Sequence, residues 1–178
     1  MITNILRYGV IILIFFVLAL LQASFLPYFN ILGAIPGLVF ILFFLLLFFQ
    51  REREFRQDFL GAIVAGFLMD MYSSFPFGFH IASLIAICLI NTGADYFVKD
   101  SQGKHQLLYF TGFFAFYFAV NQALLFGFLR IFGMDFHFDT VTIFITLAYS
   151  LPFAIIGFYG YKKLANQVVQ DSQLKLFN

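Results

Sequence analysis

The chain has 178 residues, of which 62% are hydrophobic and only 11% charged. A water-soluble domain of this length carries roughly twice that charged fraction, so one soluble core could not hide this much apolar surface. The net charge of +1 gives no bulk attraction to nucleic acid, and the one cysteine, Cys88, cannot form an internal disulfide. The apolar pattern instead predicts an all-α membrane protein, a single six-span bundle over residues 1–178 with short loops.

The first span is expected over Tyr8–Phe25. Arg7 and the apolar run after it imitate a signal peptide, but Leu21 stands where a small residue should precede Ala23, so the segment reads as retained. Pro27 ends it, and an uncharged turn runs to Gly33. The second span is expected over Ile35–Phe49, with Pro36 in its first turn, where a missing N–H costs nothing. Arg51, Arg53 and Arg56 lie in the mixed-charge stretch 50–58, read either as a topological anchor or as a cytoplasmic docking patch.

The third segment, Phe59–Tyr72, is short. It would cover roughly 20 Å against a hydrocarbon core of about 30 Å, so it is either a thin span extended by residues 55–58 or a re-entrant element. Gly61, Ala62, Ala65 and Gly66 recur at four-residue spacings, which lets another helix backbone approach closely. On that basis Gly66→Leu is expected to disrupt a helix contact. The turn at residues 73–78 leads to a fourth span over Phe79–Ala94. The fifth is expected over Leu107–Leu129 and the sixth over Val141–Tyr161, with a kink at Pro152 and a polar helical tail from Lys162.

Alternate numbering of the loops sorts the cations. Arg7, Arg51, Arg53, Arg56, Lys99, Lys104, Lys162, Lys163 and Lys175 fall on one side and only Arg130 on the other. Basic loops stay in the cytoplasm, so both termini are expected inside. With no Trp in the chain, interfacial anchoring falls to Tyr, and the thirty Phe are given no function.

Asp70 is the most informative polar residue. It is either a proton or cation site within the membrane or an acceptor that caps the turn before the fourth span. A capping role predicts that Asn at this position preserves function while Ala weakens it. His80 could pair with Asp70 across the turn. One His and one Asp do not make a zinc site, and adding Asp135, His137 or Asp139 gives no metal-binding spacing. Gln22, Asn91, Asn121 and Gln122 read as interhelical hydrogen-bonding groups or as the lining of a polar cavity. Ser73 and Ser74 near His80 and Asp70 supply triad residue types without a motif that would position them. No catalytic or cofactor-binding pattern is expected.

Two stretches carry a resemblance. LLQASFLPYFNILGAIPGLVFILFFLLLFF (20–49) and GAIVAGFLMDMYSSFPFGFHIAS (61–83) resemble the rod shape-determining membrane protein family MreD. Gln22, Pro36, Gly61, Gly66, Asp70, Pro76 and Gly78 match the family pattern. Gly37 departs from it, standing where the family often has Asp or Asn. The resemblance implies a non-enzymatic scaffold of bacterial cell elongation in the cytoplasmic membrane. Its partners would be an MreC-like bitopic protein, RodA-like and transpeptidase wall synthases, and MreB filaments. The family also resembles the substrate-binding subunits of energy-coupling-factor vitamin transporters, the alternative reading. Ala19 and Ala23 fit the helix-docking A-x-x-x-A pattern of those subunits. Outer loops that are short and poor in polar groups argue against a vitamin site.

Overall fold

A computed structural model describes residues 2–49, 55–98, 106–134 and 139–174. The described residues form six α-helices and no named strand: α1 (Ile2–Ser24), α2 (Leu38–Phe49), α3 (Phe55–Tyr72), α4 (Phe79–Val98), α5 (Gln106–Ile131) and α6 (Thr140–Leu174). Arg51, Arg53, Lys99, Lys104, Asp135, His137 and Lys175 lie outside the described residues, and Arg56 enters only through the backbone of α3. The loop charges behind the topology are therefore largely beyond what the fold addresses.

Two helical segments, Gln106–Ile131 and Thr140–Lys163, are long and apolar enough to cross a membrane. Shorter apolar helices run over Gly9–Ser24, Leu38–Phe49 and Phe79–Thr92. The third segment is longer than its apolar run. Residues 55–58 join it in one 18-residue helix, long enough for about 27 Å at 1.5 Å per residue. Conversely α2 starts later than its hydrophobicity suggests. Leu38 N–H folds back on the Pro36 carbonyl, and Gly37 supplies the first helical acceptor, to Ile41 N–H. Pro36 thus sits just before the helix, not in its first turn. Residues from Lys162 to Leu174 continue α6 without a break, and Pro152 lies inside that continuous helix.

The centre of the bundle is α2. Its sequence is apolar on every side, and Leu38, Val39, Phe40, Ile41, Phe43, Phe44, Leu45 and Leu47 are all buried, as befits a helix surrounded by others. α1, α3 and α6 pack on it. Phe40 and Phe44 reach α5, where their rings meet Phe114 at 5.9 and 5.4 Å. Phe110 joins this cluster to Phe158 of α6 at 4.8 Å. These tilted and edge-on rings are the favoured aromatic geometries, so part of the Phe excess builds the core. α6 approaches closely because Gly157 has no side chain: a Cβ there would lie 2.6 Å from Leu45 Cδ1.

The most extensive helix pair is α3 with α4. Two further hydrogen bonds join α4 to α5: Ser83 Oγ donates to Asn121 Oδ1 at 2.7 Å, and Tyr117 OH donates to Asn91 Oδ1 at 2.9 Å. Each replaces a water partner that burial removes. Outward, α1 shows an apolar surface, with Leu13 and Val17 about half exposed or more.

Candidate functional site

Both stretches that carry the resemblance lead into helices that begin at one end of the bundle. A helix start leaves backbone N–H groups without intrahelical partners, and the two starts solve this differently.

At α4 the residue before the helix is Gly78, with φ +99°. That left-handed conformation suits glycine, but glycine brings no capping side chain. Asp70, near the end of α3, supplies it from eight residues upstream. Its Oδ2 accepts Gly78 N–H at 2.8 Å and Ile81 N–H at 3.3 Å. Its Oδ1 accepts His80 N–H at 2.9 Å and faces the His80 ring Nδ1 at 2.8 Å. The donors at His80 and Ile81 are those a local N-cap side chain normally takes. The carboxylate is also on the favourable end of the helix dipole. Pro76 adds its carbonyl, which accepts Phe79 N–H at 3.3 Å. The Asp70 side chain is fully covered, and that of His80 is only 6% exposed.

Such a reach requires α3 and α4 to touch. Gly66, one helical turn before Asp70, makes this possible. A Cβ at Gly66 would fall 2.5 Å from Ile81 Cα and 2.7 Å from Ile81 N, inside the backbone of α4. Ala62 and Ala65 are completely buried beside it. Gly61 does not share this role: a Cβ there meets nothing within 4 Å. Within this chain the close approach is made by Gly66 and not by Gly61. Positions 61 and 66 lie on different faces, and only Gly66 points at α4.

At α2 the donors are met by neutral groups from distant helices. Gln22 Oε1, from α1, accepts Val39 N–H at 3.1 Å. Ser150 Oγ, from α6, accepts Gly37 N–H at 3.1 Å. Pro36 is fully buried between them. Gly37, the departure from the family pattern, thus receives its polar partner from another helix. Ser150 was not singled out from the sequence, since a serine near Pro152 carries no signal of a contact 113 residues away. The turn before α2 is tight. Ile31 and Ala34 exchange backbone hydrogen bonds at 3.1 and 2.9 Å, with positive φ at Leu32 and Gly33.

Between the two starts lies a cavity of about 550 Å³. Its polar lining comes from Gln22, Tyr72, Ser73 and His80, and the rest is mainly apolar, including Ala23, Val39 and Leu68. The short outer loops had argued against a vitamin site, while the lining of a polar cavity was one of the two readings of Gln22. Gln22, Tyr72 and His80 arrive on helices, and Ser73 comes from the turn after α3. No group of three or more possible metal ligands occurs among the described residues.

Comparison with protein-family models, with curated proteins and with solved structures yields no match.

Proposed function

We propose that this chain is a non-enzymatic membrane scaffold of the MreD type. It would span the bacterial cytoplasmic membrane six times, with both termini inside, and hold an MreC-like protein and RodA-like and transpeptidase wall synthases together with MreB filaments. The observation that carries the reading is how the residues behind the resemblance are used. Gly66, Asp70 and Gly78 build the start of α4, and Gln22 and Pro36 frame the start of α2. Four donors are arranged on the Asp70 carboxylate, so this group organises backbone. Rigid helix starts of this kind give a partner a fixed surface at one end of the bundle.

The alternative, a substrate-binding transporter subunit, is favoured by the cavity. Against it stands Ala19, which is only 1% exposed, while Ala23 lines the cavity wall. Half of their A-x-x-x-A pattern, Ala19, is thus turned into the bundle and unavailable for docking a second chain.

Purification of the full chain from its host in mild detergent, with identification of co-purifying proteins, tests the reading. MreC-like and RodA-like partners are expected. Recovery of an ATP-binding-cassette module in their place would replace the scaffold with the transporter subunit. Reporter fusions after Asn178 and within residues 50–58 should both read cytoplasmic, and one at Met134 external.

A further inference from the structure

We propose that the cavity between the starts of α2 and α4 binds a neutral hydroxyl group carried on an apolar body, with His80 Nε2 as its acceptor. This goes beyond the scaffold reading and does not depend on it.

The argument begins at Asp70. Three backbone N–H groups converge on its oxygens, so these oxygens serve as acceptors. The ring nitrogen at 2.8 Å from Oδ1 is then the donor, which in the neutral ring places the imidazole proton on Nδ1 and leaves the lone pair on Nε2. His80 is 5% exposed, its ring packs edge-on against Phe75 at 5.3 Å, it lines the cavity, and among the described residues no hydrogen bond reaches Nε2. A buried acceptor without a partner is costly, and a ligand donor relieves that cost.

The remaining wall defines the ligand. Gln22 uses its carbonyl oxygen on Val39, so its amide N–H groups remain as donors. A hydroxyl can donate to His80 and accept from an amide, which neither an ether nor a hydrocarbon can do. No Asp, Glu, Lys or Arg lines the cavity, which disfavours an ionic head. The apolar majority of the lining fits an alkyl body, and about 550 Å³ lies within the range of small-molecule sites. The hydroxyl would come from a membrane glycerolipid or another amphiphile with an alkyl chain, and a free polyol, which lacks the apolar body, should not bind.

The test uses the full chain in nanodiscs with ¹⁵N-labelled histidine. Monodecanoylglycerol is the probe, its dimethyl ether the control without hydroxyls, and glycerol the free-polyol arm. His80→Asn keeps a donor where Nδ1 sits and deletes Nε2, and it identifies the His80 resonances. Ala23→Phe fills the cavity while leaving the Asp70 contacts intact. In the free protein, Nε2 should be the unprotonated ring nitrogen. Monodecanoylglycerol should shift its resonance and the dimethyl ether should not. His80→Asn should weaken binding of the diol about three- to tenfold, the worth of one hydrogen bond, and Ala23→Phe should remove it. A shift with monodecanoylglycerol alone supports a hydroxyl on an apolar body, and an equal shift with glycerol would overturn the apolar requirement. The proposal is overturned if Nε2 carries the proton, if monodecanoylglycerol does not move its resonance, or if diol and ether bind equally well. Should His80→Asn fail to fold, the wild-type resonances and Ala23→Phe decide alone.

Discussion

Helices α2 and α4 begin at the same end of the bundle, yet their first turns are satisfied by opposite chemistry. The start of α2 borrows two neutral oxygens, one each from α1 and α6. The start of α4 concentrates four donors on one buried carboxylate from the neighbouring helix. In the first arrangement the load is distributed, and losing one partner leaves the other in place. In the second it is focused, and everything depends on one residue and on the close approach that delivers it. Distribution gives tolerance and concentration gives rigidity. The two starts should therefore respond very differently to substitution.

The largest effect is expected at Gly66. A Leu there must push the α4 backbone away and should prevent recovery of folded protein. Even Gly66→Ala should cost about 1–3 kcal/mol, the usual range for overpacking, read as a lower unfolding midpoint in detergent. The same exchange at Gly61, where nothing lies within 4 Å, should be neutral or slightly stabilising. Equal losses at both positions would erase the distinction between the two faces of α3.

Asp70→Ala comes next. It strands buried donors and should cost about 2–3 kcal/mol. Here the geometry revises the expectation from sequence that Asn would be tolerated. Both carboxylate oxygens act as acceptors, and an Asn amide nitrogen would face N–H groups. Asp70→Asn should therefore fall between, losing about 1–2 kcal/mol. If Asn matched wild type in thermal unfolding, the two-oxygen cap would be wrong.

Gln22→Leu should be milder, about 1 kcal/mol, the typical worth of a neutral cap. Ser150→Ala should be similar, and the double variant should lose roughly the sum. A loss at either position as large as that of Asp70→Ala would remove the contrast between the two starts.

The smallest effect concerns a third helix start. Asp139 caps α6 locally, accepting Thr142 Oγ1–H at 2.6 Å and Val141 N–H at 3.0 Å. The Thr142 hydroxyl first, then the backbone N–H groups, holds its pKa below the usual carboxylate range, and the group is fully exposed. A carboxylate with a lowered folded pKa contributes its stabilisation above the unfolded value and loses it as pH falls through the folded one. The difference in unfolding midpoint between wild type and Asp139→Asn should therefore be small near neutrality and vanish in acid. A difference that grows on acidification would reverse the sign.

How much of this could be read from the sequence depended on distance along the chain. The helices, the extension of α3 by residues 55–58 and the possibility that Asp70 serves the turn before α4 all follow from local pattern. Asp70 and His80 are close in sequence and separated by a recognisable turn. The caps on α2 were out of reach, because Gln22 and Ser150 are polar residues in apolar helices whose partners depend on tertiary contact. The central position of α2 was also hidden, since a helix apolar on all sides looks the same whether protein or lipid surrounds it. Gly61 and Gly66 have equivalent-looking neighbours, and only the crossing with α4 tells them apart. Of the cavity, only the alternative reading of Gln22 was legible, because bringing Gln22 beside Ser73 and His80 depends on tertiary packing.

The central claim is that Gly66, Asp70, Gln22 and Gly78 act through architecture. The most direct test measures the proposed scaffold function, read as rod-shape complementation, and unfolding midpoint together for Gly66→Ala, Asp70→Asn, Asp70→Ala and Gln22→Leu. The account predicts one monotonic relation, in which activity falls only as stability falls. An Asp70 variant that unfolds at the wild-type temperature and is recovered in normal amounts, yet fails to restore rod shape, would contradict it and assign the carboxylate a direct functional role.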